Sequence, residues 1–153
     1  MGLKALGDFL RRHRIVALDT NVFIYHLDDV PRYSELTRAI FEWVATPGNA
    51  AVTSTITLTE LLVQPYAASD QEGVSTYYAR LVTYPNLSWV PPGLEIADRA
   101  AQIRAQHRLR TPDALQAATA LEAGATALIT NDLTFQRLAG IEVALLDAFI
   151  KPR

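Results

Sequence analysis

The chain has 153 residues, half of them apolar and one fifth charged, with a formal net charge of −2. That length and composition suit one domain spanning 1–153 with a buried core, while the bulk charge decides nothing about nucleic acid. Cysteine is absent, which excludes disulfides and thiolate metal sites and suits a reducing cytoplasm.

In chain order, residues 1–13 set Leu3, Leu6 and Leu10 at helical spacing among charges. That predicts an amphipathic helix packed on the domain, an N-terminal extension and not a signal peptide. Residues 15–19 read as a buried strand closed by Asp19, and apolar residues resume with Val22, Phe23 and Ile24. Leu36, Ile40, Trp43 and Val44 repeat as on a helix face, and Thr46-Pro47-Gly48-Asn49 ends that helix. A strand at 51–54 follows, then helices near 57–68 and through Tyr77 and Leu81, and a strand at 88–90. Pro91-Pro92-Gly93 launches a helix near 94–108, and 112–123 is a helix with Thr111 as N-cap, Pro112 at N1 and Gly124 past its end. Strands at 126–130 and 142–146 complete the series. No stretch reads as a membrane span, because the longest uncharged run, 43–59, is full of Thr, Ser, Pro, Gly and Asn.

Short apolar strands alternating with helices imply an α/β three-layer sandwich around a mostly parallel five-stranded sheet. In such sheets ligands bind beyond the carboxyl ends of the strands. Three acids plainly share that address, and a fourth, Asp113, joins them if helix 112–123 runs antiparallel to the strand it precedes, the direction a right-handed crossover requires. Asp19 ends the first strand, Asp132 follows the fourth, and Glu60 and Asp113 fall in the first turns of the helices at 57–68 and 112–123. Each alone has a structural reading. Asp19 suits a strand-to-helix turn, Thr57-Leu58-Thr59-Glu60 matches a capping box, Asp113 suits a helix N-terminus, and Asn131 or Asp132 suits a cap. Together they repel: one carboxylate pair 4 Å apart costs ~4 kcal/mol at an effective dielectric of 20. Such a cluster needs protons or cations, and hard oxygen donors suit Mg²⁺ or Mn²⁺. Metal-assisted hydrolysis of a phosphodiester by an activated water is the chemistry this suggests.

The basic residues are uneven: twelve of fourteen are Arg, grouped at Arg11, Arg12 and Arg14 and again at Arg99, Arg104, Arg108 and Arg110. Arginine forks onto phosphate oxygens, although a solvated helix face accounts for the same pattern. His26 is placed on a helix surface, and Trp43 and Trp89 in the core.

The segments "VALDTNVFIY", "TSTITLTELL", "RTPDALQAATALEAGATALITND" and "LTFQRLAGIEVALL" occur in that order. From about Ile15 to Leu146 the chain resembles a PIN-domain ribonuclease, closest in pattern to VapC-type toxins of toxin–antitoxin systems. The resemblance implies that Asp19, Glu60, Asp113 and Asp132 form a catalytic Mg²⁺ or Mn²⁺ site, with polar support from Asn21 and Thr130. It further implies an RNA substrate, a small antitoxin partner seated in apolar helix grooves, and a homodimer. Independently of the resemblance, Thr111 and the basic cluster at Arg104, Arg108 and Arg110 are placed to guide an RNA backbone into the site, and no membrane partner is expected. A housekeeping RNA-processing nuclease and a non-catalytic protein-binding module of the same fold are the alternatives. A dehalogenase-type phosphatase needs a second Asp where Asn21 stands, and a receiver domain needs a late Lys, whereas the lysines are Lys4 and Lys151. No glycine pair forms a phosphate loop, and no G-x-S-x-G elbow occurs.

Overall fold

The computed structural model describes residues 2–150. Met1, the first residue of the predicted 1–13 helix, and Lys151 lie outside the described residues. The elements are α1 (Leu3–Leu10), β1 (Ile15–Leu18), α2 (Thr20–Leu27), α3 (Ser34–Ala45), β2 (Ala50–Ser54), α4 (Thr55–Ala67), α5 (Gln71–Val82), β3 (Leu87–Val90), α6 (Leu94–His107), α7 (Thr111–Glu122), β4 (Ala127–Thr130) and β5 (Glu142–Leu145). Short 3₁₀ turns at Leu133–Arg137 and Leu146–Phe149 follow β4 and β5.

The five strands pair in the order β3-β2-β1-β4-β5, all parallel. The chain builds outward from β1 to β3, then crosses back and builds the other way, so the order reverses between β1 and β4. Strand residues alternate between the two faces. Val16 and Leu18 face a core shared with α1, α2 and α3 that includes Phe23, Ile40 and Phe41. Ala17, Val52 and Leu128 face the opposite core with α6 and α7. There Ala114, Ala117, Ala118 and Ala120 give α7 a face of small side chains that is fully buried. The three-layer sandwich read from the sequence is therefore the observed architecture.

Boundaries differ in three places that matter for the site. β1 stops at Leu18 and Asp19 is the N-cap of α2, because its carboxylate takes the Thr20 N–H. α4 begins at Thr55, and its N-cap is Ser54, whose hydroxyl accepts from Ile56 N. The capping box expected at Thr57–Glu60 is thus absent: Thr57 is buried inside the helix and Glu60 sits in its second turn. α7 begins at Thr111 with Arg110 as N-cap, one residue earlier than expected. Its other end matches the sequence signal: Gly124 has φ +78°, and Ala125 N reaches back to Ala120 O.

Among the described residues no helix is long and apolar enough to cross a membrane.

Candidate active site

The register of β1 on β4 pairs Val16 with Ala127 and Leu18 with Ile129, so the next residues, Asp19 and Thr130, emerge side by side at the carboxyl edge. The Thr130 hydroxyl donates to Asp19 Oδ2 at 2.7 Å, and Asn21 Nδ2 reaches the same oxygen at 3.2 Å. Asp19 Oδ1 accepts from Thr20 N at 2.8 Å. Thr130 also accepts from Asp132 N at 3.0 Å, which fixes the start of the loop carrying Asp132. Asn21 and Thr130, the two residues expected to support the first and fourth acids, thus both touch Asp19.

Asp19 is only 8% exposed. Burial pushes its carboxyl up to about 6; the hydrogen bonds from Thr130 and Thr20 pull the other way, and the charges of Glu60 and Asp113 add to the rise. Glu60 is raised as well, first by partial enclosure and further by Asp113, against the opposing pull of Thr20 and Arg110. Asp113 enters from the first turn of α7, 15% exposed at its side chain, with Arg110 Nε 3.1 Å from its Oδ2. Asp132 caps the 3₁₀ turn after β4, its Oδ1 accepting from Thr134 N and Oγ1 at 2.9 and 2.8 Å. Asp19, Glu60 and Asp113 therefore come from three separate segments into one electrostatic neighbourhood, and Thr130 ties the start of the Asp132 loop to Asp19.

Among the described residues, no three Asp, Glu or His side chains converge on a common point as they stand. Each of three acids is also engaged by the protein: Thr20 N holds one Asp19 oxygen, Thr134 one Asp132 oxygen, and Arg110 one Asp113 oxygen. The donor set nevertheless fits Mg²⁺ or Mn²⁺, since it is all hard oxygen with more negative charge than one guanidinium offsets. Asn21 Oδ1, buried beside Asp19 with no hydrogen-bond partner, is a further oxygen unspent on the protein.

Beneath the acids lies a buried polar floor that the sequence reading missed. Gln116, one helical turn after Asp113, donates from Nε2 to Thr57 Oγ1 at 2.6 Å and accepts from Ser54 N at 3.4 Å. Thr57 bonds Thr53 at 2.7 Å, and Thr53 donates to Leu18 O at 2.8 Å. Thr20, Thr53, Ser54, Thr57 and Gln116 are all buried, so this network ties α2, α4 and α7 to the ends of β1 and β2. It also shows that α7 starts at the carboxyl edge, the direction a right-handed crossover into β4 demands. A second anchor is Asn131, whose amide donates to Tyr33 OH at 3.0 Å and accepts from Asp147 N at 3.0 Å. The one available sequence signal for Gln116 was an amide on an otherwise Ala-rich helix face. Gln116→Ala is expected to lower stability by about 1–3 kcal/mol, the cost of stranding buried partners, seen as a lower urea midpoint at unchanged slope.

The basic residues separate by role. Arg104 Nε is committed to Leu109 O at 3.0 Å, and Arg108 is a left-handed C-cap at φ +56°. Arg110 alone among the predicted RNA-guiding arginines contacts one of the four acids. Thr111 is exposed at the start of α7. His26 stacks on Phe41 with centroids 4.2 Å apart and belongs to that aromatic cluster. Trp43 and Trp89 pack against the core, as expected.

The fold and site define a class: a parallel α/β protein with acidic side chains at the carboxyl edge of the sheet, where strand order reverses between β1 and β4. The PIN-domain family model matches residues 16–141, and the chain belongs to the PIN-domain family. Among solved structures, VapBC-1 from nontypeable Haemophilus influenzae is similar at 22% identity and TM-score 0.66, covering 87% of this chain and 98% of the other. DNA-bound VapBC from Salmonella typhimurium is 25% identical at TM-score 0.64, covering 86% and 97%. A toxin–antitoxin complex from Klebsiella pneumoniae is 24% identical at TM-score 0.62, also covering 86% and 97%. No curated protein matches the chain.

Proposed function

We propose that the chain is a divalent-metal-dependent endoribonuclease of the VapC toxin kind. The observation that carries this reading is the gathering of Asp19, Glu60, Asp113 and Asp132 at the switch point of a PIN-domain sheet. These four would hold Mg²⁺ or Mn²⁺, which when bound supplies an activated water and neutralises charge developing on the phosphate. The chain's own part is to fix the donors. Thr130 and Thr20 N orient the Asp19 carboxylate, Asn21 braces it, and the Gln116 network keeps the helices bearing Glu60 and Asp113 in place. No protein nucleophile is required, and the RNA enters over the exposed edge near Arg108, Arg110 and Thr111.

The partner reading follows from the neighbours and from the surface. A groove of about 250 Å³ lined in part by Ile24, Leu27, Leu61 and Tyr77 opens beside Glu60. An apolar antitoxin segment seated there would cover the acids. Val63 and Tyr66 on α4, 57% and 56% exposed, offer apolar surface for a second copy in a homodimer.

The test is direct. Purified protein incubated with mixed-sequence RNA and Mg²⁺ or Mn²⁺ is expected to cleave it, with no cleavage in chelator. Cleavage that persists undiminished without divalent metal would sink the reading.

A further inference from the structure

We propose that Arg110 is a built-in latch on the acidic site: it and a divalent cation compete for Asp113, and the bound cation frees the guanidinium to hold a substrate phosphate. This rests on the metal-site reading above and concerns what controls loading of that site.

Arg110 stands where helix electrostatics alone disfavour it. It is the N-cap of α7, its side chain makes no capping bond, and a cation at a helix N-terminus opposes the dipole. The compensation is Asp113: Nε lies 3.1 Å from Oδ2, the one protein partner of that carboxylate among the described residues. The charges of Asp132 and Glu60 reach the same guanidinium. Arg110 thus contacts one acid and lies in the field of two others.

The pair is asymmetric. The Arg110 side chain is 79% exposed and the Asp113 side chain 15%. Desolvating the acid is costly, whereas releasing the arginine into water costs little, because exposed ion pairs contribute weakly. A divalent cation brings twice the charge and can approach several carboxylates at once, so it displaces the guanidinium instead of binding beside it. The freed side chain stays rooted at the N-terminus of α7, beside Asp113, where its planar fork suits a phosphodiester oxygen pair. Arg104, by contrast, is tied by its Nε to Leu109 O and contacts none of the acids. Arg137 is likewise turned to a backbone carbonyl, that of His107.

The latch makes two effects of opposite sign. In Arg110→Gln, titration calorimetry with Mn²⁺ alone should show binding tightened about two- to five-fold, the equivalent of one exposed ion pair. The same variant should show KM for a mixed-sequence single-stranded RNA raised by a similar or larger factor. Arg110→Lys, which keeps the charge but not the fork, should restore the parent's Mn²⁺ affinity while leaving KM high. A residue serving only to hold the fold would weaken both properties together. A parent protein that binds Mn²⁺, with Arg110→Gln binding it equally or more weakly, overturns the latch and leaves the metal site standing. A parent that binds no Mn²⁺ overturns both.

Discussion

In chelator at neutral pH, Asp19→Asn is expected to melt above the parent protein while losing metal-dependent RNA cleavage. Folding raises this carboxyl from 3.8 to about 6, burial being the first cause. The folded chain therefore holds the Asp19 proton more tightly than the unfolded chain does. The stability that proton brings is fully present below pH 3.8 and is lost as pH rises through about 6. Above that, the parent carries a buried carboxylate beside Glu60 and Asp113. A gap of roughly two pH units corresponds to about 3 kcal/mol. The amide must still adapt to donors from Thr130, Thr20 N and Asn21, so a gain of about 1–2 kcal/mol is expected. Parent stability, followed by thermal melts, should fall between pH 4 and 6.5, and this fall should be missing in Asp19→Asn.

Adding Mn²⁺ should invert the order. A ligand at a hundred times its Kd stabilises the folded state by about 2.7 kcal/mol, and this gain requires the Asp19 carboxylate. Cleavage should drop by at least about a hundred-fold, since residues that merely orient ligands already cost 10- to 100-fold when removed. An Asp19→Asn protein that melts below the parent in chelator, or that still gains stability from Mn²⁺, would contradict the proposed role.

Asp19 also marks how far the sequence could be read. Strand candidates were legible because each is a short apolar run in a sheet covered on both faces, and four of the acids stood out by their position relative to those runs. The local role of each acid was less legible. Asp19 and Asp132 are caps as well as candidate ligands, so the structural and the chemical readings were never exclusive. Glu60 looked like the far end of a capping box because Thr57 has the right spacing, yet Ser54 captured the helix start and Thr57 turned inward. The inward Thr57 hydroxyl is held both by Thr53, four residues back, and by Gln116, 59 residues further on. Asn131 likewise has a distant partner: its amide meets Tyr33, 98 residues away. Bonds of this kind depend on three helices meeting over one sheet edge, and hydropathy periods carry no trace of them.

The helix α1 lies outside the family match, which spans residues 16–141. Its Leu6, Phe9 and Leu10 are 0%, 5% and 2% exposed and belong to the same core as Phe23 and Ile129. Phe9 packs near Phe149 at 6.1 Å between ring centroids. Beyond the helix, Arg12 Nη2 and His13 Nε2 both meet Glu142, at 2.7 and 3.0 Å, and His13 Nδ1 meets Thr126 at 2.7 Å. Those contacts join the end of α1 to the segments entering β4 and β5. A detachable extension would tolerate truncation of its apolar residues with less than about 0.5 kcal/mol of change. A core element would not: Leu6→Ala should destabilise by about 2–5 kcal/mol, comparable to Ile129→Ala in the central sheet. Against a typical total of about 5–15 kcal/mol, that is a large fraction, and equilibrium urea unfolding reads it directly. Leu3, 46% exposed on the same helix, supplies the internal control, because Leu3→Ala should change stability little. Equal, small effects at Leu3 and Leu6 would mean that α1 contributes no core. A large effect at Leu6 alone would make it as much a part of the domain as the strands that carry the acids.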